Sequence, residues 1–471
     1  MNLRNSKTPP IREKRLNSVQ AYFGDIAPLL TEFQQNTVRP RIRTFSQASV
    51  DDIISVLQVI SGIHQSVAII HGPRGCAASR LSFERNGVED SYWTVTDLNE
   101  RDTIIGAEKV LCRTVVEMYR RYRPQVIFIV ATPVVAINND DILSVVEELR
   151  EELKCEIVPI FSDGFKSKIG ATGFDVLAHA LVKYLPLERS GEPAEFINLL
   201  ATTENGREIT ELQQLLTQLG LQVNLLPRLG SMETISRASH ARISVTVNRD
   251  ESNYLATLLQ DEYGVPALKM EPPIGIDGTS RWLQQIGEAT GNAAGAAELA
   301  GNETRRIKAL IQETKLENKR VYISASPAIA VAIGNLVREL GGKMAGVTVE
   351  YIDSTHQEQL QALQTEHSLQ QLHVAQGQPF EVINILKLLK PDLFIGEPEQ
   401  AVWAARLGIP VVSLSAVGVF GYEGVLRFSR QVAKALNNGS FVSRLAATSQ
   451  LPYKSGWYQK SVNWYIKQEV K

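Results

Sequence analysis

The stretch Val67-Ala68-Ile69-Ile70-His71-Gly72-Pro73-Arg74-Gly75-Cys76 decides the reading of this chain. Its apolar run, Val67 to Ile70, predicts a buried strand. A strand that stops at Gly-Pro and delivers a cysteine a few residues later places a thiol beyond its carboxyl end. In open α/β sheets that end is where ligands bind. Gly72 and Gly75 let the backbone approach a bulky group, and Pro73 stiffens the turn. Arg74 beside the thiol favours thiolate, the form that binds metal, or it pairs with an acidic residue and leaves the site untouched. The plainer alternative is a small inert hydrophobe in a tight turn.

Outward from this turn, apolar strands alternate with amphipathic helices. Residues 125–130 read as a strand, Asp140 to Leu153 as a helix with two acids at its positive end, and Cys155 to Phe161 as the next strand. After Gly191-Glu192-Pro193 the pattern returns: strand 196–202, helix 208–219 stopped by Gly220, strand 221–226. After the charged stretch 303–319 it returns again, with strand 321–324, a helix through Leu340 stopped by Gly341-Gly342, and strand 345–351. Residues 392–395 and 411–414 then read as two more parallel strands. Each unit is strand, crossover helix and parallel strand, the right-handed element of a doubly wound fold. The expected architecture is α/β, three Rossmann-like domains with parallel sheets: 1–190 with the cysteine turn, 191–315, and 316–440. A tail over 441–471, rich in aromatics, packs on a subunit surface. No GxGxxG follows an opening strand and there is no Walker A sequence, so neither a dinucleotide site nor ATP hydrolysis by this chain is expected.

Composition narrows the class further. With 471 residues, 44% hydrophobic and 21% charged, the chain is an ordinary globular protein of several domains. A net charge of -2 gives no reason to expect nucleic acid or an anionic membrane. No apolar run is long enough to cross a bilayer, and Met1 to Arg15 lacks the apolar core of a secretory signal, so a cytoplasmic location is expected. Cys76, Cys112 and Cys155 show no CxxC spacing, which argues against a disulfide framework or a self-contained zinc site.

Several segments, in order, carry a family resemblance. His71–Cys76 looks like a cluster-binding turn of component 1 of nitrogenase and its relatives. Thr96–Asp102 followed by Gly106–Lys109 resembles the segment after that turn. Asp140-Asp141, Ser162–Ser167 and Thr172–Asp175 resemble later parts of the first domain. Tyr263–Pro266, Pro273–Gly275 with Thr279, and Gly421–Gly424 resemble the β-type subunit, whereas Pro73 and the segment 97–109 look α-type. Residues 20–440 are covered. The resemblance implies a β-type subunit that shares an iron–sulfur cluster with an α-type partner, as a heterodimer or an α2β2 tetramer, and accepts electrons from an ATP-dependent iron–sulfur reductase.

The departures refine that implication. Catalytic subunits of the family give three cysteines each to a large cluster. Here the first position falls at Val50-Asp51-Asp52 and the third at Pro133, so Cys76 alone remains as a thiolate. One thiolate suits a [4Fe–4S] cluster completed by three partner cysteines. Cys76 is thus the implied metal ligand, with His71, Gly72 and Gly75 shaping the cofactor site; Asp51 is either an oxygen ligand or, more simply, a helix cap. The segment 411–420 has no histidine to hold a catalytic cofactor. The resemblance therefore implies the cofactor-assembly scaffold, with a reductase of a small molecule as the alternative. A cluster-free metal or ligand binding module is the reading from another class. Cys112, Cys155 and His64 are read as packing residues. Asp97 is read as a helix cap, and Tyr453, Trp457, Tyr458, Trp464 and Tyr465 as an interface tail.

Overall fold

A computed structural model describes residues 15, 18–44, 51–78, 92–162, 169–187, 194–311 and 316–468. The segment 163–167 and the breaks at 191–193 and 315 lie outside them. The chain forms two compact units. One comprises Met1–Leu16, Val50–Thr203 and Leu221–Met270, the other Asn17–Ser49, Glu204–Gly220 and Glu271–Lys471.

The first unit carries two four-stranded parallel sheets. In the first, the strands run in the order Tyr92–Val95, Ser66–His71, Val126–Ala131, Glu156–Ile160. Ser66–His71 and Val126–Ala131 are fully buried, as expected where helices cover both faces. One face packs on the helices Asp52–Ile60 and Thr172–Tyr184, the other on Glu108–Tyr122 and Ile142–Arg150. Because the chain leaves Ser66–His71 in one direction and returns on its other side at Val126–Ala131, the two central strands bracket a topological switch point. The second sheet orders Ala267–Leu268, Ser244–Thr246, Phe196–Ala201, Gln222–Pro227. Arg15 is buried in this unit against Asp175 and donates to the Asp250 carbonyl at 3.1 Å.

The second unit carries a six-stranded sheet in the order Tyr22–Asp25, Gln371–Val374, Lys343–Val349, Arg320–Ala325, Leu393–Gly396, Val411–Ser413. All pairs are parallel except the first, where Tyr22–Asp25 runs antiparallel at the edge. The aromatic tail packs on its own unit: Tyr453, Trp457 and Tyr465 set their rings edge-on to buried Phe380 at 5.7, 6.0 and 5.2 Å. Ile466–Gln468 pairs with Arg41–Arg43.

The α/β class and its parallel sheets are as the alternation predicts, and the expected strands shift by one or two residues. Tyr92–Val95, Gln371–Val374 and the edge strand Tyr22–Asp25 are strands the sequence did not announce. Tyr92–Val95 is short and half-exposed, and Tyr22–Asp25 contains Gly24 and ends in Asp25, so neither has an apolar run to read.

Candidate functional site

The switch point of the first sheet holds the cysteine turn. The strand ends at His71, the chain turns through Gly72 and Pro73, and Arg74–Ala77 forms one short 3-10 turn carrying Cys76. The Cys76 N–H donates to the Pro73 carbonyl at 3.0 Å. Across the switch point the next strand ends at Ala131, and Thr132 follows as N-cap of the helix Pro133–Asn138. The Thr132 hydroxyl donates to the His71 carbonyl at 2.7 Å and also lies within hydrogen-bond reach of the Cys76 thiol.

Gly72 and Gly75 play different parts. A Cβ on Gly72 would sit 2.3 Å from Thr132 Oγ1, so this glycine lets the two strand ends close on each other. A Cβ on Gly75 would meet nothing within 4 Å among the described residues, which leaves room beside the thiol.

The thiol itself is half-buried, and burial pushes Cys76 above the usual cysteine range; Thr132 acts against that rise and Asp51 adds to it. Arg74 does not activate the thiol; it pairs with an acid, the second of the two expectations. Its side chain is 81% exposed and forks onto Asp97, with Nε 3.2 Å from Oδ1. Asp97 has φ 56°, and the helix Glu100–Ile105 is capped instead by Asn99, in a capping box with Asp102. Asp51 is the helix cap: its carboxylate accepts the Ile54 N–H at 3.0 Å.

Beneath the turn lies a pair that sequence reasoning treated separately. His71 Nε2 and Asp140 Oδ2 are 3.5 Å apart, with both side chains nearly inaccessible to solvent. Neither atom has a hydrogen-bond partner among the described residues. Burial pulls His71 down to about 4 and pushes Asp140 up to about 6, and the Glu108 carboxylate raises both. On its other side His71 Nδ1 is 3.1 Å from Thr96 Oγ1. Asp141, the second acid of the pair expected at this helix start, is its N-cap, accepting the Ser144 N–H at 3.1 Å. The signal for Asp140 was present in that acidic doublet, but one cap needs one carboxylate, and the doublet does not say which acid turns inward.

Cys112 and Cys155 pack against the apolar cluster on the far face of the sheet, as read from the sequence. His64 is half-buried rather than a core residue. Among the described residues no set of three or more His, Cys, Asp or Glu side chains could hold a metal ion. Cys76 therefore offers one thiolate, at a place with room beside it, and fits an iron–sulfur cluster only if other ligands come from outside this chain.

Comparison with known proteins follows the same direction. The profile of the nitrogenase component 1 type oxidoreductases matches residues 53–437. A nitrogenase iron-molybdenum cofactor biosynthesis protein NifE of Methanococcus maripaludis is 26% identical over 399 residues, covering 80% of this chain and 81% of its own. The NifE protein of Clostridium pasteurianum is 25% identical over 81% of this chain and 85% of its own. A nitrogenase molybdenum-iron protein alpha chain of Methanosarcina barkeri is 25% identical, covering 81% and 84%. The solved structure of nitrogenase Cp1 at pH 6.5 superposes with a TM-score of 0.76 at 17% identity, over 87% of this chain and 96% of that one, a likeness of fold.

Proposed function

The chain belongs to the nitrogenase component 1 type oxidoreductase family, and from that premise we propose that it is a subunit of a nitrogenase-like complex working in cofactor assembly. Relatives named for iron-molybdenum cofactor biosynthesis support the assembly role. The observation that carries the reading is Cys76: one half-buried thiol at the switch point of the first sheet, with room at Gly75 and, among the described residues, no self-sufficient ligand set around it.

In this reading Cys76 supplies one thiolate of a [4Fe–4S] cluster whose other three come from a different subunit. When bound, such a cluster stores and passes single electrons. This chain's residues hold the thiolate in place. Gly72 and Thr132 lock the two strand ends together, and burial keeps the free thiol protonated until metal displaces the proton.

The subunit type follows from weighing two signals. Gly421–Gly424 and Tyr263–Pro266 lean to the β-type, but the molybdenum-iron relative is an alpha chain and Pro73 agrees with it. The α-type position, with a β-type partner, is the better supported. Electrons arrive from an ATP-dependent reductase that docks beside the turn. Ile104, Ile105 and Ile137 lie on neighbouring helices there and are 83%, 71% and 73% exposed, an apolar patch suited to a transient partner. Charge reversal at Asp97 or Glu100 then lowers reductase-dependent ATP turnover while the subunits still co-elute.

The deciding test is co-expression with α-type and β-type chains, followed by iron analysis and electron paramagnetic resonance of the complex. Cys76→Ala loses the cluster, and Cys112→Ser and Cys155→Ser keep it. Full iron content and an unchanged signal in Cys76→Ala overturn the proposal.

A further inference from the structure

The Thr96, His71 and Asp140 side chains pose a hydrogen-counting problem. Thr96 Oγ1 accepts the Gly72 N–H at 2.9 Å, and two further acceptors compete for its single hydrogen: the Gly72 carbonyl at 3.2 Å and His71 Nδ1 at 3.1 Å. If the hydrogen goes to Nδ1, the imidazole carries its own proton on Nε2 and aims it at the Asp140 carboxylate, 3.5 Å away. If the hydrogen goes to the Gly72 carbonyl, Nδ1 must carry a proton and donate to Thr96. One more proton then lies on or between Nε2 and Oδ2, since two facing lone pairs in a dry site are unfavourable. The two arrangements differ by one proton and by the rotation of one hydroxyl.

We propose that His71, Asp140 and Thr96 form a buried proton-binding site under the cysteine turn, which takes up one proton from solvent and hands the Thr96 hydroxyl from His71 Nδ1 to the Gly72 carbonyl. The groups facing it suit that role. Glu108 lies against the Asp141 N–H at 3.4 Å and its negative charge favours uptake at both members. Beyond Thr132 stand the Cys76 thiol and Asp51. The Gly72 carbonyl keeps the Leu98 N–H at 3.2 Å in either arrangement, so the turn survives the change while its hydrogen bonding alters. Burial lowers the histidine and raises the acid, which brings the two into one coupled titration. The site stands on the geometry of this unit alone. Its consequence, that charge added beside the turn is met by a proton five residues before Cys76, rests on the reading of Cys76 as an iron ligand.

The test uses the full chain with its partner, free of iron, with histidine ring nitrogens labelled with nitrogen-15. His71 is assigned by its loss in His71→Gln. Between about pH 8 and pH 4, a range that spans the ordinary histidine value and the lowered one, Nδ1 of His71 passes from bare to protonated in the wild type. In Asp140→Asn that transition moves down by about one pH unit or more, a tenfold loss of proton affinity. Thr96→Val displaces it and Thr96→Ser restores it. A His71 Nδ1 that keeps one state throughout in the wild-type chain overturns the proposal, whatever the variants do. So does a transition that Asp140→Asn leaves in place. Because iron is absent, neither result depends on whether Cys76 binds a cluster, which the Cys76→Ala assay decides separately.

Discussion

Each unit of this protein buries a histidine between a carboxylate and a threonine that lies on the neighbouring parallel strand or one residue past its end. In the second unit, Thr348 and His373 are register partners. Tyr322 Oη is 2.7 Å from Thr348 Oγ1, which is 3.0 Å from His373 Nδ1, and Nε2 is 2.8 Å from Glu381. Arg43 then clamps Glu381 with two bonds of 2.8 and 2.9 Å and donates to the Val374 carbonyl at 2.6 Å. Burial works to raise Glu381, but bonds from His373 and Arg43 prevail and hold it below the usual range, so the pair is a neutral imidazole on an ionised acid. In the first unit Thr96, His71 and Asp140 repeat the order without the clamp: the pair is at 3.5 Å and Asp140 is raised to about 6. The complete network is architecture, since every polar atom along it has a partner. The incomplete one lies under the cysteine turn, and an unsatisfied buried pair persists most readily where function needs it.

The largest effect that sharpens this contrast is at Glu381. Glu381→Ala leaves Arg43 buried without its counter-ion, an expected cost of about 3–5 kcal/mol. A chain of two units need not unfold in one step, so the loss is read as faster amide exchange in Lys343–Val349 and Gln371–Val374. An exchange pattern like that of Asp140→Asn erases the distinction between the two networks.

How much of this was legible beforehand differs between the two regions. The first sheet's central strand, its turn and Cys76 stand in ten consecutive residues, because an apolar run followed by Gly-Pro is a local signal. The Asp51 cap and the packing of Cys112 and Cys155 were also readable, each from a residue type and its neighbours. The Arg43–Glu381 clamp was not: its members lie 338 residues apart, and Arg43 sits in a three-residue strand with no apolar pattern. Arg74 could be read two ways for a related reason. Adjacency to the cysteine in sequence says nothing about direction, and an exposed turn sends a long side chain outward to Asp97.

A middle-sized effect is expected at Gly72. An added Cβ overlaps the buried Thr132 side chain, whose hydroxyl is already committed to the His71 carbonyl, so Gly72→Ala costs about 1–3 kcal/mol. Exchange in Ser66–His71 and Val126–Ala131 rises with it, and unchanged protection there means the strand ends are not locked as described.

The pH dependence separates the pairs more finely. Asp140 titrates at about 6 when folded against 3.8 ordinarily, so the folded chain holds that proton more tightly and this contribution to stability falls as pH rises through the window. His71 titrates at about 4 against 6.5, binds its proton less tightly when folded, and contributes in the opposite sense. Asp140→Asn removes the first and moves the His71 transition lower still, which acts in the same direction. Stability of the variant relative to wild type is therefore expected to rise between about pH 4 and pH 6. A difference flat in pH, measured by urea midpoints of the first unit, removes the titrating role from Asp140.

The smallest effect on stability is expected at Gly75, and it tests what the open side of the turn is for. An alanine there meets no atom of the described residues within 4 Å, and its φ is not in the left-handed region, so the turn tolerates the methyl. Gly75→Ala should change stability by no more than about 0.5 kcal/mol, the usual range for a surface change that touches nothing. Gly72→Ala can lose iron simply by loosening the turn, but Gly75→Ala has no such route. If the space beside Cys76 holds a cluster and the surface of a partner subunit, the added methyl meets them instead. Iron content or co-elution then falls while amide exchange in Ser66–His71 stays as in wild type. Full iron and full assembly in Gly75→Ala would mean that nothing approaches the turn from that side, and that the cysteine is reached from another direction.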